Sequence, residues 1–182
     1  LDDLLDYLET VPRLPKMEGR KRLDSSPLTL PTSGGREAVI EYLEGRRKEN
    51  ETADLAFTAY RDLARAPWKP FMKAAFERNP VSSSGAFGME DREAHACLQA
   101  MDEESIYGGT RLAQPDEVWN FKRGNGMEKA ITLANILRNR NVDARIRFTR
   151  EASGIKVEDG KSVYGFPYSG DLQPPRDEDL DF

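Results

Sequence analysis

Three features of the sequence predict an α+β fold, in which a mostly helical N-terminal part precedes a core helix packed on a small or incomplete antiparallel sheet. Apolar residues recur at helical spacing over much of residues 36–105. A capped and strongly apolar helix begins near Asn125. After that helix, β-branched and aromatic residues flank an Asp-Gly pair, which is typical of a β-hairpin.

The chain has 182 residues, enough for one well-buried domain together with a helical subdomain. Residues 1–35 are predicted to form a short amphipathic helix followed by a proline-rich, extended connector. Residues 36–105 are predicted to form the helical subdomain, and residues 106–170 the core. Residues 171–182 are expected to be an acidic, proline-led tail that buries little surface.

Within the helical subdomain, apolar spacing predicts helices over residues 37–47, 52–64 and 89–101. On the last of these, Cys97 shares a face with apolar neighbours, so we expect a small core residue rather than a nucleophile. His95 lies two positions away and therefore points to another side of the helix. This arrangement argues against a catalytic pair formed by Cys97 and His95.

The core helix is predicted from its N-terminal cap and its apolar surface. Asn125 and Glu128 have the spacing of a capping box, in which each side chain accepts a hydrogen bond from the backbone amide of the other residue. The apolar positions that follow are Ala130, Ile131, Leu133, Ala134, Ile136 and Leu137. Because these positions cover most sides of the helix, we expect it to be enclosed by the rest of the core.

Residues 142–149 and 155–166 are predicted to be strands, the second of them interrupted by Asp159 and Gly160. An Asp-Gly pair between strand-like residues favours a hairpin with a type I′ turn.

Composition excludes several classes of function. The net charge of −5 and the isoelectric point near 5.1 argue against nucleic acid as the principal partner. No apolar run approaches the length of a membrane span, so membrane insertion is not expected. The single cysteine precludes an internal disulfide and a cysteine-based zinc site, and we expect no structural metal or cofactor.

Three short segments and the core helix follow one another in a recognisable order. A proline-led helix at residues 111–118 is followed by a turn at residues 123–125, by the core helix, and by a strand entrance at residues 142–145. The matching positions within the helix are Lys129, Ala130, Leu133 and Ala134. This order resembles the transglutaminase-like family of the papain superfold. The resemblance implies that residues 106–170 form a transglutaminase-like core.

The resemblance breaks at the nucleophile. The family carries an aspartate and then a cysteine at the N-terminus of this helix, whereas this chain has Asn125 and Gly126. The family's catalytic histidine and aspartate follow on later strands, but the only histidine here, His95, precedes the helix. The resemblance therefore implies a pseudoenzyme. We expect Gly126→Cys to give a thiol that an electrophile labels without any turnover.

The function implied by this resemblance is a non-catalytic binding or scaffolding module, with a cleft at the N-terminus of the helix that begins near Gly126. Its ligand would be a protein, a peptide or a glycan. The candidate residues of the cleft are Trp119, Lys122, Arg123, Asn125, Gly126 and Glu128. The resemblance alone suggests a periplasmic or secreted location and leaves a cytoplasmic one open.

Three alternatives stay open at the level of sequence. Trp119 and Phe121 would be core anchors of the turn before the helix rather than ligand contacts. Glu128 would act with Asp116 or Glu117 as the acid and base of a hydrolase or lyase, although a carboxylate in a capping box is ionised and occupied. The chain would be a fragment or subunit of a larger hydrolase, lyase or transglutaminase-like enzyme whose catalytic residues lie elsewhere.

Overall fold

A computed structural model of the chain describes residues 26–141 and 145–182. The helix predicted near the N-terminus and most of the predicted connector lie outside the described residues. The described helices are α1 (Gly35–Arg46), α2 (Glu51–Tyr60), α3 (Trp68–Glu77), α4 (Pro80–Gly85), α5 (Asp91–Gln99), α6 (Pro115–Phe121) and α7 (Gly126–Arg140). The strands are β1 (Arg147–Glu151), β2 (Gly154–Glu158) and β3 (Val163–Pro167), and a short 3-10 helix spans Asp177–Asp179. This content confirms the predicted α+β class.

The chain divides into two compact units, Leu1–Asp54 and Leu55–Phe182. In the first unit, α1 buries none of its residues. The amide of Ala53 donates to the side-chain oxygen of Asn50 at 3.1 Å, so Asn50 caps the start of α2. The predicted division into four parts, with boundaries at residues 35, 105 and 170, stays a prediction.

The second unit is built around α7. Its first twelve residues, from Gly126 to Leu137, are all buried, which confirms the prediction of an enclosed helix. Helices α3, α4, α5 and α6 pack around it, and strands β2 and β3 cover it from the remaining side. The predicted capping box also forms, with the Glu128 amide 3.0 Å from the Asn125 side-chain oxygen and the Asn125 amide 2.8 Å from the Glu128 carboxylate.

The three strands form an antiparallel sheet in the order β1-β2-β3. Ile155, Val157 and Phe166 turn towards α7 and are fully or almost fully buried. The outer edge of β3 is covered by α5, because the side chains of His95 and Gln99 both reach the Gly165 carbonyl oxygen, at 2.9 and 3.3 Å. His95 thus has a structural position, and Cys97 is half-buried at the margin of the core.

The hairpin between β2 and β3 is present, but its turn is not type I′. The loop has four residues, and only Gly160 of the Asp-Gly pair has a positive φ, of 86°. The Asp159 carboxylate accepts the amides of Lys161 and Ser162, at 2.8 and 2.7 Å. These side-chain hydrogen bonds stabilise a longer loop than the sequence predicts.

The acidic tail packs against the rest of the second unit through a few apolar residues, although half of its residues are exposed. Leu180 is buried, and the ring of Phe182 lies 5.9 Å from that of Phe76 on α3. Asp177 forms an ion pair with Arg147 of β1 at 3.0 Å. The two apolar residues close to its end anchor the tail in spite of the acids around them.

No helix among the described residues is long and apolar enough to cross a membrane.

Candidate functional site

Of the six residues predicted to line one cleft, four are distributed over two openings, Glu128 is in the interior, and Arg123 is on the surface outside both openings. The first opening, called the cleft below, has a volume of about 450 Å³ and lies at the N-terminus of α7. It is lined by Glu103, Gly109, Asn125, Gly126, Ala152, Ser153, Pro167, Tyr168, Ser169 and Gly170. The second, called the groove, has a volume of about 570 Å³ and is lined by Pro80, Val81, Ser84, Gly85, Trp119, Asn120 and Lys122. Of the predicted residues, the cleft therefore contains Asn125 and Gly126 and the groove contains Trp119 and Lys122.

Gly126 lies in backbone contact with the end of β3. A Cβ atom at this position would overlap the Pro167 carbonyl oxygen, lie 2.8 Å from the Pro167 carbonyl carbon, and lie 3.0 Å from Cβ of Tyr168. Real Cβ atoms essentially never approach backbone atoms so closely, so the site holds a glycine because no side chain fits. The sequence identifies the position but gives no sign of this contact, which joins residues about forty positions apart.

Glu128 lies behind the cleft rather than in its lining. Its carboxylate accepts hydrogen bonds from the Ser105 hydroxyl at 2.6 Å, the Ala113 amide at 2.6 Å and the Asn125 amide at 2.8 Å. Burial raises the pKa of Glu128, these hydrogen bonds oppose the rise, and the charge of Glu117 adds to it. The side chain therefore fixes the start of α7 and the loops before it.

A buried lysine, which the sequence analysis named only for its match to the family's helix, holds one wall of the cleft. Lys129 is 0% exposed, and its ammonium group donates to the Met101 carbonyl at 2.7 Å and to the Glu103 carboxylate at 2.9 Å. Glu103 is 56% exposed and lines the cleft, so the ion pair links the core helix to the cleft surface. The one available signal was a lysine within the apolar stripe of a predicted core helix.

The opposite wall is held by an arginine. The guanidinium of Arg150 lies 4.6 Å from the centre of the Tyr168 ring, and it donates to the Gly170 carbonyl at 2.9 Å. Burial raises the pKa of the Tyr168 hydroxyl, and the nearby positive charge of Arg150 opposes this. The phenol is therefore neutral at physiological pH and can both donate and accept hydrogen bonds.

The two acids considered as catalytic partners of Glu128 are already engaged. Glu117 binds both terminal nitrogens of Arg61, at 2.6 and 3.1 Å, and accepts from the Tyr107 hydroxyl at 2.6 Å. Burial alone would raise the pKa of Glu117, but hydrogen bonds from Arg61, Tyr107 and the Gln114 amide, with the Arg61 charge, hold it at about 2.

Asp116 caps α4 by accepting the amides of Val81 and Ser82, at 3.0 and 2.8 Å. None of Glu128, Asp116 and Glu117 lines the cleft or the groove. The arrangement disfavours their use as an acid and base on a substrate bound in either opening.

The aromatic and cationic residues before α7 serve different purposes. Trp119 is 8% exposed and packs as a core anchor, whereas Phe121 is 63% exposed. The Lys122 ammonium lies 4.1 Å from the centre of the Trp119 ring. Arg123 lines neither opening, because its guanidinium pairs with the Glu104 carboxylate and donates to the Glu104 carbonyl at 3.1 Å.

Among the described residues, no group of three or more His, Cys, Asp or Glu side chains is placed to hold a metal ion. Comparison of the chain with models of known protein families, with curated proteins and with solved structures found no match. The resemblance to the transglutaminase-like family therefore stays a prediction.

Proposed function

We propose that the chain is a non-catalytic, transglutaminase-like binding module whose ligand occupies the cleft at the N-terminus of α7. The contact between Gly126 and the Pro167 carbonyl is the observation that supports this most directly. The Pro167 carbonyl group occupies the space that a nucleophilic side chain would need at the position indicated by the resemblance. It leaves about 450 Å³ open beside that position, which is enough for a few residues of an extended ligand.

The chemistry of the lining favours a peptide segment. Asn125, Ser153 and Ser169 place an amide and two hydroxyl groups around the cleft, and Tyr168 contributes a neutral phenol. These groups both donate and accept hydrogen bonds, as the amides of a peptide backbone do. Glu103 is the one carboxylate in the lining, and Lys129 already balances its charge.

Charged groups support both walls of the cleft. Lys129 fixes Glu103 on one side, and Arg150 fixes residues 168–170 on the other. A cleft with fixed walls loses little conformational entropy when a ligand binds, which favours a binding role.

Binding is tested by titrating the ¹⁵N-labelled chain with two acetylated tripeptide amides, Ac-Gly-Gln-Gly-NH2 and Ac-Gly-Lys-Gly-NH2, and with maltotriose as a glycan probe. We expect a peptide to give saturable shifts of the Gly126, Ser153 and Ser169 amides at a Kd of about 1 mM, which is typical of a short ligand. Ser153→Trp should abolish these shifts by filling the cleft. Lys161→Trp, on the loop between β2 and β3, should preserve them.

The same samples are assayed for released ammonia, which hydrolysis or transfer of the glutamine amide would produce. We expect none above the rate in buffer. Ammonia production that Ser153→Trp abolishes would refute the non-catalytic role. Cleft shifts caused by maltotriose but by neither peptide would instead assign the cleft to a glycan.

A further inference from the structure

The groove is separate from the cleft and has a different chemistry. It lies between α4 and α6, and Lys122 forms the C-terminal cap of α6. Its polar side chains are those of Ser84, Trp119, Asn120 and Lys122, and no acidic residue lines it. The indole nitrogen and the ammonium group can only donate hydrogen bonds, whereas the hydroxyl and the amide can both donate and accept.

These four polar groups are unused within the part of the chain that the structure describes. Neighbouring polar side chains do form hydrogen bonds. Ser82 donates to Asp116 at 2.9 Å, and Ser83 accepts from Asn135 at 3.2 Å. By contrast, the side chains of Ser84 and Asn120, the indole nitrogen of Trp119 and the ammonium of Lys122 have no hydrogen-bond partner there. Lys122 has no ion pair there either, and its charge contacts only the Trp119 ring.

Backbone geometry places Trp119 and Lys122 at the groove. Lys122 has the left-handed conformation, with φ of 52° and ψ of 36°, which is uncommon for a lysine. Gly85 allows the indole to approach α4, since a Cβ atom there would overlap the indole nitrogen and lie 2.7 Å from Cζ2 of Trp119. The fold therefore sets the position of the indole and the backbone direction of Lys122 without a bound ligand.

We propose that the groove is a second binding site, which accepts a carboxylate group attached to an apolar residue. Ser84, Asn120 and Lys122 are exposed, so water solvates them in the free chain, and a surplus of donors beside one unpaired cation suits a ligand that brings acceptors and a negative charge. A single lysine matches the single charge of a carboxylate. Pro80 and Val81 provide an apolar wall for the adjoining part of the ligand, and Val81 is exposed.

The carboxylate can come from the end of a peptide chain or from an acidic side chain. The two sources are distinguished by comparing Ac-Gly-Ala-Leu-OH with Ac-Gly-Glu-Leu-NH2, and Ac-Gly-Ala-Leu-NH2 is the matched neutral probe. The chain has two tryptophans, so a Trp68→Phe background leaves Trp119 as the fluorescent reporter inside the groove. The groove and the cleft share no lining residue, so a negative binding result at one site leaves the proposal for the other site unaffected.

We expect Ac-Gly-Ala-Leu-OH to change the Trp119 fluorescence saturably, and its amide to bind at least about tenfold more weakly, which corresponds to the loss of one charge-assisted hydrogen bond. Lys122→Asn removes the charge while asparagine tolerates the left-handed conformation. This variant should bind the acid and the amide equally. Lys161→Asn removes the same charge on the loop between β2 and β3 and should retain the tenfold preference.

A response to Ac-Gly-Glu-Leu-NH2 that matches the response to the chain-terminal acid would assign the groove to carboxylates of either source. A response to the chain-terminal acid alone would assign it to peptide C-termini. Equal affinity for acid and amide in the parent chain, an unaltered preference in Lys122→Asn, or no fluorescence change with either acid at about 20 mM, well above the range of weak specific binding, would overturn the proposal.

Discussion

Gly126 is where two elements distant in sequence come into backbone contact. The N-terminus of α7 meets the end of β3 there, and the missing side chain is what allows the Pro167 carbonyl to approach. A second glycine, Gly154, allows a similar approach to the Phe166 carbonyl within the sheet. The position of β3 against the core helix therefore depends on a single residue without a Cβ atom.

Gly126→Ala is expected to lower the free energy of unfolding by about 3 kcal/mol or more, at or above the usual cost of overpacking, because backbone rather than a flexible side chain must move. Gly108→Ala is the matched control, since a Cβ atom there meets nothing within 4 Å. The control should stay within about 0.5 kcal/mol of the parent in urea titrations. A loss below about 1 kcal/mol for Gly126→Ala would contradict the contact.

The same contact changes the expectation for Gly126→Cys. The sequence alone predicts a thiol that an electrophile labels in a folded protein, as a helix N-terminus would activate it. The structure has no space for that side chain, so the variant should lose stability instead of presenting a thiol. The resemblance predicts a cysteine at this position, and the fold shows why a cysteine is excluded there.

The pKa values of two carboxyl groups, the half-buried Glu117 and the buried Glu128, are shifted in opposite directions. The folded pKa of Glu117 lies at about 2, below its ordinary value of 4.5, whereas burial raises that of Glu128 above 4.5. A group with a lowered folded pKa stabilises the folded chain above the unfolded pKa, and this stability is lost as pH falls through the folded pKa. Glu117 therefore contributes stability that is lost as pH falls from about 4.5 to about 2, whereas Glu128, with its raised pKa, contributes stability at low pH that is lost as pH rises through its folded pKa.

Glu117→Gln should be less stable than the parent by an amount that is constant above about pH 5 and shrinks as pH falls from 4.5 towards 2, because protonation removes the attraction to Arg61 in the parent as well. Urea titrations of both proteins across this range measure the difference. Glu178→Gln, which changes an exposed acid, should show no such trend. If the stability difference between Glu117→Gln and the parent stays constant down to about pH 3, the pKa of Glu117 is not lowered in the folded chain.

At the scale of elements, local signals were sufficient for α7 and for the existence of the hairpin. Asn125 and Glu128 lie within one helical turn, and the apolar stripe follows without interruption. The sequence gives no information on which distant segments come into contact. Trp119 and Asn125 are close in sequence, yet the first faces α4 and the second faces the sheet, so the predicted cleft is divided. The sequence does not predict the ion pair of Lys129, because its partner, Glu103, lies 26 positions earlier.

Leu133→Ala and Leu137→Ala are each expected to lower the free energy of unfolding by about 2 to 5 kcal/mol, the range for truncating a buried leucine. The two leucines are 0% and 3% exposed, and helices and strands surround α7 on all the buried turns. Leu55→Ala is the matched control, because that leucine is 53% exposed, and it should change stability by about 1 kcal/mol or less. Losses under about 1 kcal/mol at both leucines would show that the helix is not enclosed.

At the scale of the whole molecule, the tail departs from the sequence-based expectation at a few apolar residues. Its composition is acidic and proline-rich, which is typical of a segment that stays solvated. Composition averages over the segment and gives little weight to two apolar residues at its end. The fold places Leu180 in the core of the second unit and Phe182 beside Phe76, and Arg147 binds the acid at Asp177.

The tail is therefore expected to contribute to the stability of the second unit. Leu180→Ala should lower the free energy of unfolding by about 2 kcal/mol, near the lower end of the range for buried leucines, because a segment near the chain end can relax into part of the space left. Glu178→Ala, two residues earlier on an exposed side chain, should change it by about 0.5 kcal/mol or less. Urea titration followed by circular dichroism measures both. An unchanged midpoint for Leu180→Ala would mean that the tail contributes nothing to the core, as its composition had suggested, and that its contacts with Phe76 and Arg147 are too weak to hold it.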